Sequence, residues 1–277
     1  MRKIVVIISD THCGSKLALM NPQTQLYSED ESGNLVPYTP EMTASQKYLW
    51  QIYTMAIEYT HKIAGNAPVY LIHLGDEVDG NKYPQGQVSS RLSDQVIIAA
   101  DVLRPWFALN LQAIRIVIGT QAHNFGEGSS AHLLCRMLPE IAQPLYHAVV
   151  EVDGVTLDVA HHGPFPGSRN WLRGNSARFY LRDLMQTEIM AGRRPPDVVL
   201  RGHYHNPVYE YLETERFASR LYILPSWCMI NDHALQSSRS PHLITHGLLL
   251  LEIEDGRIIR DHRLYHTIDI RRREKIA

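Results

Sequence analysis

The sequence predicts an α/β fold with mixed sheets covered by helices. Its first half alternates short β-branched runs with segments whose apolar residues recur at helical spacing. Its second half is richer in strands, and two Asp-Gly pairs mark hairpin turns there. No internal repeat or low-complexity linker divides the chain, so residues 1–277, of which 44% are hydrophobic, are read as a single domain with a substantial core.

Lys3 to Ser9 is an apolar, β-branched run of the kind buried in a parallel sheet. Residues 14–40 are polar and rich in Pro, Gly, Asn and Ser, as in a long loop or small insertion. Thr39-Pro40-Glu41 has the chemistry of a helix start. Leu49, Ile52, Tyr53, Ala56, Ile57, Ile63 and Ala64 then keep helical spacing up to Gly65, which can close the helix. PVYLIHLGD (68–76) reads as a second buried strand, and residues 93–112 as a helix interrupted at Pro105. AIRIVIG (113–119) is a third strand and SSAHLLCRML (129–138) a short helix. Residues 148–163 form two β runs around Asp153-Gly154. Residues 170–191 read as helical, DVVLRGH (197–203) as a strand, and 221–270 mostly as strands with a second Asp-Gly turn at 255–256.

Composition excludes several classes. A net charge of −2 argues against a surface built for tight, sequence-blind nucleic-acid binding. Cys13, Cys135 and Cys228 form no CxxC pair, so neither a disulfide framework nor a thiolate zinc site is expected, and a reducing, cytoplasmic setting fits. The apolar run Ile4 to Ile8 is too short for the core of a signal peptide, and no stretch approaches the ~18 apolar residues of a membrane span.

The chemistry lies at the ends of the strands. After the first come Asp10 and His12; after the second, Asp76 and Asp79; after the third, Gln121, His123 and Asn124. After the hairpin come His161 and His162, and after the 197–203 strand come His203 and His205. Ligands bind at the carboxyl ends of strands in open α/β sheets. Extended geometry would put i and i+2 on one side, so Asp10-x-His12 and His203-x-His205 would each present two ligands to one locus. Gly75 and Gly202 allow close backbone approach. Carboxylate oxygens and imidazole nitrogens without thiolate suit Mn²⁺ first, with Fe, Zn²⁺ or Ni²⁺ as alternatives. The donors exceed one zinc site. Two divalent metal ions sharing Asp76 as a bridge would use them all, at the roughly 3.5–4 Å spacing of two-metal hydrolases.

Asp-x-His, Gly-Asp-x-x-Asp, a His after a later strand and Gly-His-x-His, in that order over residues 10–205, resemble the calcineurin-like metallophosphoesterase superfamily. The resemblance implies a four-layer α-β-β-α sandwich with two mixed sheets, a dinuclear metal site, and phosphoester hydrolysis by a hydroxide bridging the metals. It implies that Asp10, His12 and His205 bind the first metal, that Asp76 bridges, and that His203 binds the second. His161 matches the family's fourth-motif ligand, with His162 as the competing choice. The third motif departs from the family's Gly-Asn-His: this chain has Gly119-Thr120-Gln121-Ala122-His123-Asn124. Gln121 is assigned the place of the Asn as a metal ligand and His123 that of the catalytic imidazole; the alternative makes His123 itself a ligand. Asp79 could be a ligand, but a role in orienting ligands or in the turn is preferred, and Asn124 is a further alternate.

The substrate readings are a phosphodiester, with a nucleotide-like molecule first in view, a nucleic acid cut by a nuclease, or a phosphomonoester. An inactive scaffold is the non-enzymatic alternative. Residues 14–40 and 81–92 follow the first two motifs and are expected to wall the pocket. Cys13 and Trp227 read as packing residues and His73 as a satisfied structural imidazole. Arg169, Arg173, Arg178 and Arg182 do not share one helix face, so no nucleic-acid groove is expected there.

Overall fold

Alternate residues of the first strand face opposite ways, and both ways are apolar. In β1 (Lys3–Ile8), Ile4, Val6 and Ile8 enter one core and Val5 and Ile7 another. A strand buried on both faces must be covered on both, and the rest of the chain supplies the covers. The computed structural model describes residues 1–82, 86–125, 129–167, 172–230 and 241–276.

One sheet has six strands, in the order β13 (Arg257–Asp269), β12 (Leu243–Glu254), β1, β4 (Val69–His73), β5 (Leu111–Val117), β6 (Ala142–Leu145). β1, β4, β5 and β6 run parallel, while β12 and β13 are antiparallel additions. On its outer face lie α1 (Ala44–Ala64), α2 (Leu92–Leu103) and α3 (Ser129–Met137), sharing a core with Ile4, Val6, Ile114 and Leu250. The second sheet has the order β10 (Val208–Glu213), β11 (Ala218–Ile223), β9 (Val198–Arg201), β8 (Val155–Ala160), β7 (His147–Val152), with β11, β9 and β8 parallel. Its inner face packs Leu157, Val159, Leu200 and Tyr222 against Val5, Ile7 and Ile72 of the first sheet. Its outer face carries α4 (Asn175–Met190), whose Ala177, Leu181 and Met185 meet Val199, Leu221 and Ile223. The result is a four-layer α-β-β-α sandwich with two mixed sheets.

Several elements differ from the sequence expectation. α1 starts after Thr43, not at Thr39-Pro40: the Thr43 hydroxyl accepts from the Gln46 N–H and the Gln46 side chain accepts from the Thr43 N–H, a reciprocal capping box. The 93–112 helix is two pieces: α2 ends at Leu103, and a 3-10 turn, Arg104–Ala108, holds Pro105, which lacks the N–H to continue an α-helix. Residues 14–40 are only partly loop. Ala18, Leu19, Met20 and Leu26 are fully buried, and beyond Leu26 the hairpin of β2 (Leu26–Glu29) and β3 (Leu35–Tyr38) is exposed. α4 begins at Asn175; residues 170 and 171 of the expected helix, and Arg169, lie outside the described residues. Residues 83–85 and 231–240 do so as well. Both Asp-Gly hairpins form as expected, joining β7 to β8 and β12 to β13. No helix among the described residues is long and apolar enough to cross a membrane.

Candidate metal centre

The loop that follows β1 is joined to the one after β4, and the loop after β8 to the one after β9, by backbone hydrogen bonds. Asp10 N–H donates to Gly75 O and His12 N–H to Asp76 O, both at 3.0 Å; Gly202 N–H donates to His161 O at 2.9 Å. Such approach leaves no room for side chains at three glycines. A Cβ on Gly202 would lie 2.8 Å from Asp10 Oδ2, one on Gly75 2.8 Å from His161 Nδ1, and one on Gly119 would collide with Asp76. The ligand pairs are not extended, as the i, i+2 argument supposed. Asp10, His12, Asp76, His203 and His205 all have positive φ, from 42° at His12 to 72° at His203. The kinks split the last pair between two clusters.

Four groups of side chains have ligand atoms within 4.8 Å of one another: Asp10, His12 and His205; His12, Asp76 and His123; Asp10, Asp76 and His161; and His161, His162 and His203. Shared members make them one continuous cluster. His12 Nε2 and His205 Nε2 face each other at 3.1 Å, and Asp10 Oδ1 lies 3.2 Å from the latter. His161 Nε2 is 3.0 Å from Asp76 Oδ2. The rings of His162 and His203 stand 4.6 Å apart. His161 is buried and His162 exposed, yet both reach His203.

The second oxygens and nitrogens are held in place. Asp10 Oδ2 accepts from the Ser9 hydroxyl and, at 3.1 Å, from the His203 N–H. Carbonyl oxygens only accept, so His161 Nδ1 donates to Leu74 O and His123 Nδ1 to Asp79 O, each at 2.7 Å. That leaves the Nε2 of each free of that proton. Asp79 also has its carboxylate 3.7 Å from His12 Nδ1, and Gln87 donates to it at 3.5 Å. Segments 14–40 and 81–92 pair beside it, with Lys16 N–H donating to Gly86 O at 2.8 Å and Val88 N–H to Gly14 O at 2.7 Å.

Thr120 is the residue sequence reasoning missed. Its N–H donates to Asp76 Oδ1 at 2.6 Å, and its hydroxyl lies 3.2 Å from Asp76 Oδ2 and 3.1 Å from both His161 Nε2 and His203 Nδ1. Gln121, assigned that place from the motif, is exposed at the start of a 3-10 turn, Gln121–His123. His123, at the end of that turn, joins the cluster, with half-buried Asn124 just beyond. The signal was the motif itself: Thr120 directly follows Gly119, at the place of the Asn in the motif that the chain resembles.

Electrostatics favour a donor set. Burial would raise Asp10, but the imidazoles of His205, His161 and His12 outweigh it and hold the carboxyl well below the usual range. Asp76 is likewise pulled down to about 2, against burial, by its bond to His161. Burial, then His205 and His123, lowers His12 to about 3; burial, then His161 and His162, lowers His203 to about 4. His161 alone moves up, to about 9, because its bond to Asp76 and the charge of Asp10 overcome burial. The metal-free cluster therefore holds two ionised carboxylates, neutral imidazoles at His12 and His203, and a proton on His161 that a cation would have to displace.

One buried atom tests whether a cation fits. Asp10 Oδ1 makes no hydrogen bond, and it points at two imidazole nitrogens that themselves face each other. An unpaired buried carboxylate oxygen is costly. A divalent cation among these three atoms would satisfy all of them, and oxygen plus imidazole is a donor set such ions accept. Two other residues are settled structurally. Gly75 N–H donates to His73 Nδ1 at 3.1 Å and His73 Nε2 bonds Thr11 at 2.9 Å, so that imidazole is neutral and satisfied. Cys13 lies in the helix-side core, where burial pushes its thiol up to about 12.

No family model matches the chain, and no curated protein matches it in sequence. Two solved structures are similar to it in shape. One is a conserved uncharacterized protein of Streptococcus pneumoniae TIGR4, described as a predicted phosphoesterase; at 12% identity it covers 97% of this chain and 98% of its own, with a TM-score of 0.39. The other is the Thermus thermophilus sulfate thiohydrolase SoxB in complex with glycerol. It is 11% identical, with a TM-score of 0.40 over 96% of this chain and 56% of its own.

Proposed function

We propose that this chain is a phosphoester hydrolase dependent on two divalent cations, and that it acts on phosphodiesters. The observation that carries the reading is the buried Asp10 Oδ1, which makes no hydrogen bond and lies 3.9 Å from His12 Nε2 and 3.2 Å from His205 Nε2, within a continuous cluster that adds Asp76, His123, His161, His162 and His203. Asp10, His12 and His205 would hold one cation and His161 and His203, with His162 beside them, the other, with Asp76 shared between the two groups. Thr120, in place of Gln121, orients Asp76 and both second-site imidazoles. Manganese suits these donors, as do Fe, Zn²⁺ and Ni²⁺. When bound, the cations supply Lewis-acid charge for phosphoryl oxygens and make water a competent nucleophile near neutral pH.

His123 is the proton donor to the departing oxygen. Asp79 fixes its ring through the carbonyl and leaves Nε2 directed at the cluster. The diester preference rests on charge. The charge effects on His12, Asp76, His161 and His203 come from the imidazoles and carboxylates of the cluster itself. A dianionic monoester is usually gripped by arginine forks, whereas a monoanionic diester needs less.

The test strips the protein of metal, reloads it with Mn²⁺ and compares bis(p-nitrophenyl) phosphate with p-nitrophenyl phosphate. Metal-dependent turnover higher for the diester is expected. Preference for the monoester points to a phosphatase, and cleavage of circular single-stranded DNA far above the small diester to a nuclease. Bound metal with no turnover on any of them points to a scaffold. In His123→Ala, full metal content with lost turnover fits a proton donor; loss of a metal equivalent moves His123 into the ligand set.

A further inference from the structure

A cavity of about 550 Å³ opens at the end of the five-stranded sheet remote from His161 and His203. Val155, the first residue of β8, lines it, whereas His161 follows the last. Six residues of strand separate them, about 20 Å at ~3.3 Å per residue. The cavity is therefore no part of the metal centre.

Its lining is strongly cationic. Arg194, Arg216, Arg220 and Arg257 face it against a single carboxylate, Asp197. Asp197 is already engaged: it accepts from Arg194 at 2.6 Å and from the N–H and hydroxyl of Thr156 at 2.8 and 2.9 Å. Among the described residues, Arg216, Arg220 and Arg257 have no ion pair. Arg220 feels the charge of Asp261, which lies outside the lining, but Arg216 and Arg257 have no carboxylate partner among the described residues, and guanidinium groups in one concavity repel one another unless an anion joins them. The chain's net charge of −2 makes this a local concentration and not a reflection of basic composition.

Two aromatic rings, Tyr211 and Phe217, complete the wall. The Tyr211 hydroxyl donates to Glu213 at 3.0 Å, which restrains its ring. Guanidinium forks match phosphate oxygens, and aromatic faces stack on nucleobases. The volume falls within the roughly 300–1,000 Å³ of small-molecule sites. We infer that this cavity binds a nucleoside di- or triphosphate, its phosphates on the arginines and its base against Tyr211 or Phe217. The inference is independent of what the metal centre does.

Calorimetric titration of the full chain with ADP, in chelator and about 150 mM salt, tests it, with pyrophosphate, adenosine and a short single-stranded oligonucleotide as comparison probes. ADP is expected to bind one to one, more tightly than pyrophosphate or adenosine. Arg216→Ala with Arg257→Ala, both exposed positions, is expected to weaken ADP by about tenfold or more. Phe217→Ala with Tyr211→Ala should weaken ADP and leave pyrophosphate unchanged, and Asp76→Asn should leave ADP affinity unchanged. ADP affinity equal in the arginine variants and the unaltered chain, or no ADP binding near about 1 mM, overturns the inference. So does pyrophosphate binding as tightly as ADP, or the oligonucleotide binding more tightly than either.

Discussion

Seven described residues other than glycine have a left-handed backbone, and they divide between two regions. Asp153 and Asp255 sit in the hairpin turns, each followed by a glycine that also has positive φ. Two consecutive left-handed residues are what a tight hairpin between twisted strands demands, and the strand pairing on either side offsets them. Asp10, His12, Asp76, His203 and His205 sit in the strand-end loops, where no hairpin calls for the conformation. Left-handed backbone costs an L-residue roughly 1–2 kcal/mol. In the loops the return on that cost is the convergence of five potential ligands. The same strain is a device of chain reversal in one place and of site assembly in the other.

The comparison breaks most visibly at Asp76. Asp76→Asn keeps the shape and the acceptor for Thr120 N–H but removes the charge between the two clusters. Bound metal and turnover are expected to fall together, kcat by about 10³-fold or more, since charge stabilisation is usually the largest single contribution to such a step. Elemental analysis beside the diester assay reads both. A variant with full metal and near-normal turnover would make the strained loops structural, like the hairpins.

A smaller effect separates Thr120 from Gln121. Thr120→Val removes one hydroxyl that touches Asp76, His161 and His203. Loss of such an orienting group is expected to weaken metal binding about 10–100-fold, whereas Gln121→Ala should leave it near wild type. Competition with a chelating indicator measures the two side by side, and a larger loss in Gln121→Ala would restore the motif-based assignment.

That contrast also marks the limit of what the sequence made legible. The Asp and His clusters at five strand ends could be read because such residues after apolar runs are chemically loud, and the Asp-Gly turns because their residue types match their dihedrals. Thr120 was silent, since a hydroxyl is ordinary in any loop, and no pattern shows that a 3-10 turn at Gln121–His123 leaves Gln121 exposed. The choice between His161 and His162 supposed that one would point away. The loop beyond β8 instead brings both to His203. The true start of α1 was readable: Thr43 and Gln46 spell a capping box, but Pro40 is the more conspicuous signal. Left-handed backbone at His12 or His203 could not be read, because histidine gives no local reason for it.

Acidity sharpens the comparison on the ligand side. In the metal-free protein His161 is pushed up to about 9 from an ordinary 6.5. A folded-state value above the unfolded one stabilises the fold fully below about 6.5, and that stabilisation is lost as pH rises through 9. A cation needs the neutral imidazole, so its affinity rises over the same interval. With chelator, Tm is expected to fall from pH 6.5 to 9 more steeply than in His161→Gln; with zinc the trend should weaken or reverse. Equal pH dependence in the two chelated proteins would mean that the proton is not held on His161.

The smallest expected effect is the most direct comparison of the two regions. His205→Gly and Asp255→Gly each replace a left-handed L-residue with the one residue that takes the conformation freely. Without metal both should be close to neutral, within about 1 kcal/mol, relief of strain being set against lost packing and a freer unfolded chain. With a cation present they should diverge. A ligand at about 100 times its Kd stabilises a native state by about 2.7 kcal/mol, and only His205→Gly should lose most of that gain, seen as a missing rise in Tm. The metal-free arm matters as much. If His205→Gly destabilised the chelated protein well beyond Asp255→Gly, His205 would be holding the loop and not waiting for a ligand, and the strain in the two regions would have a single explanation after all.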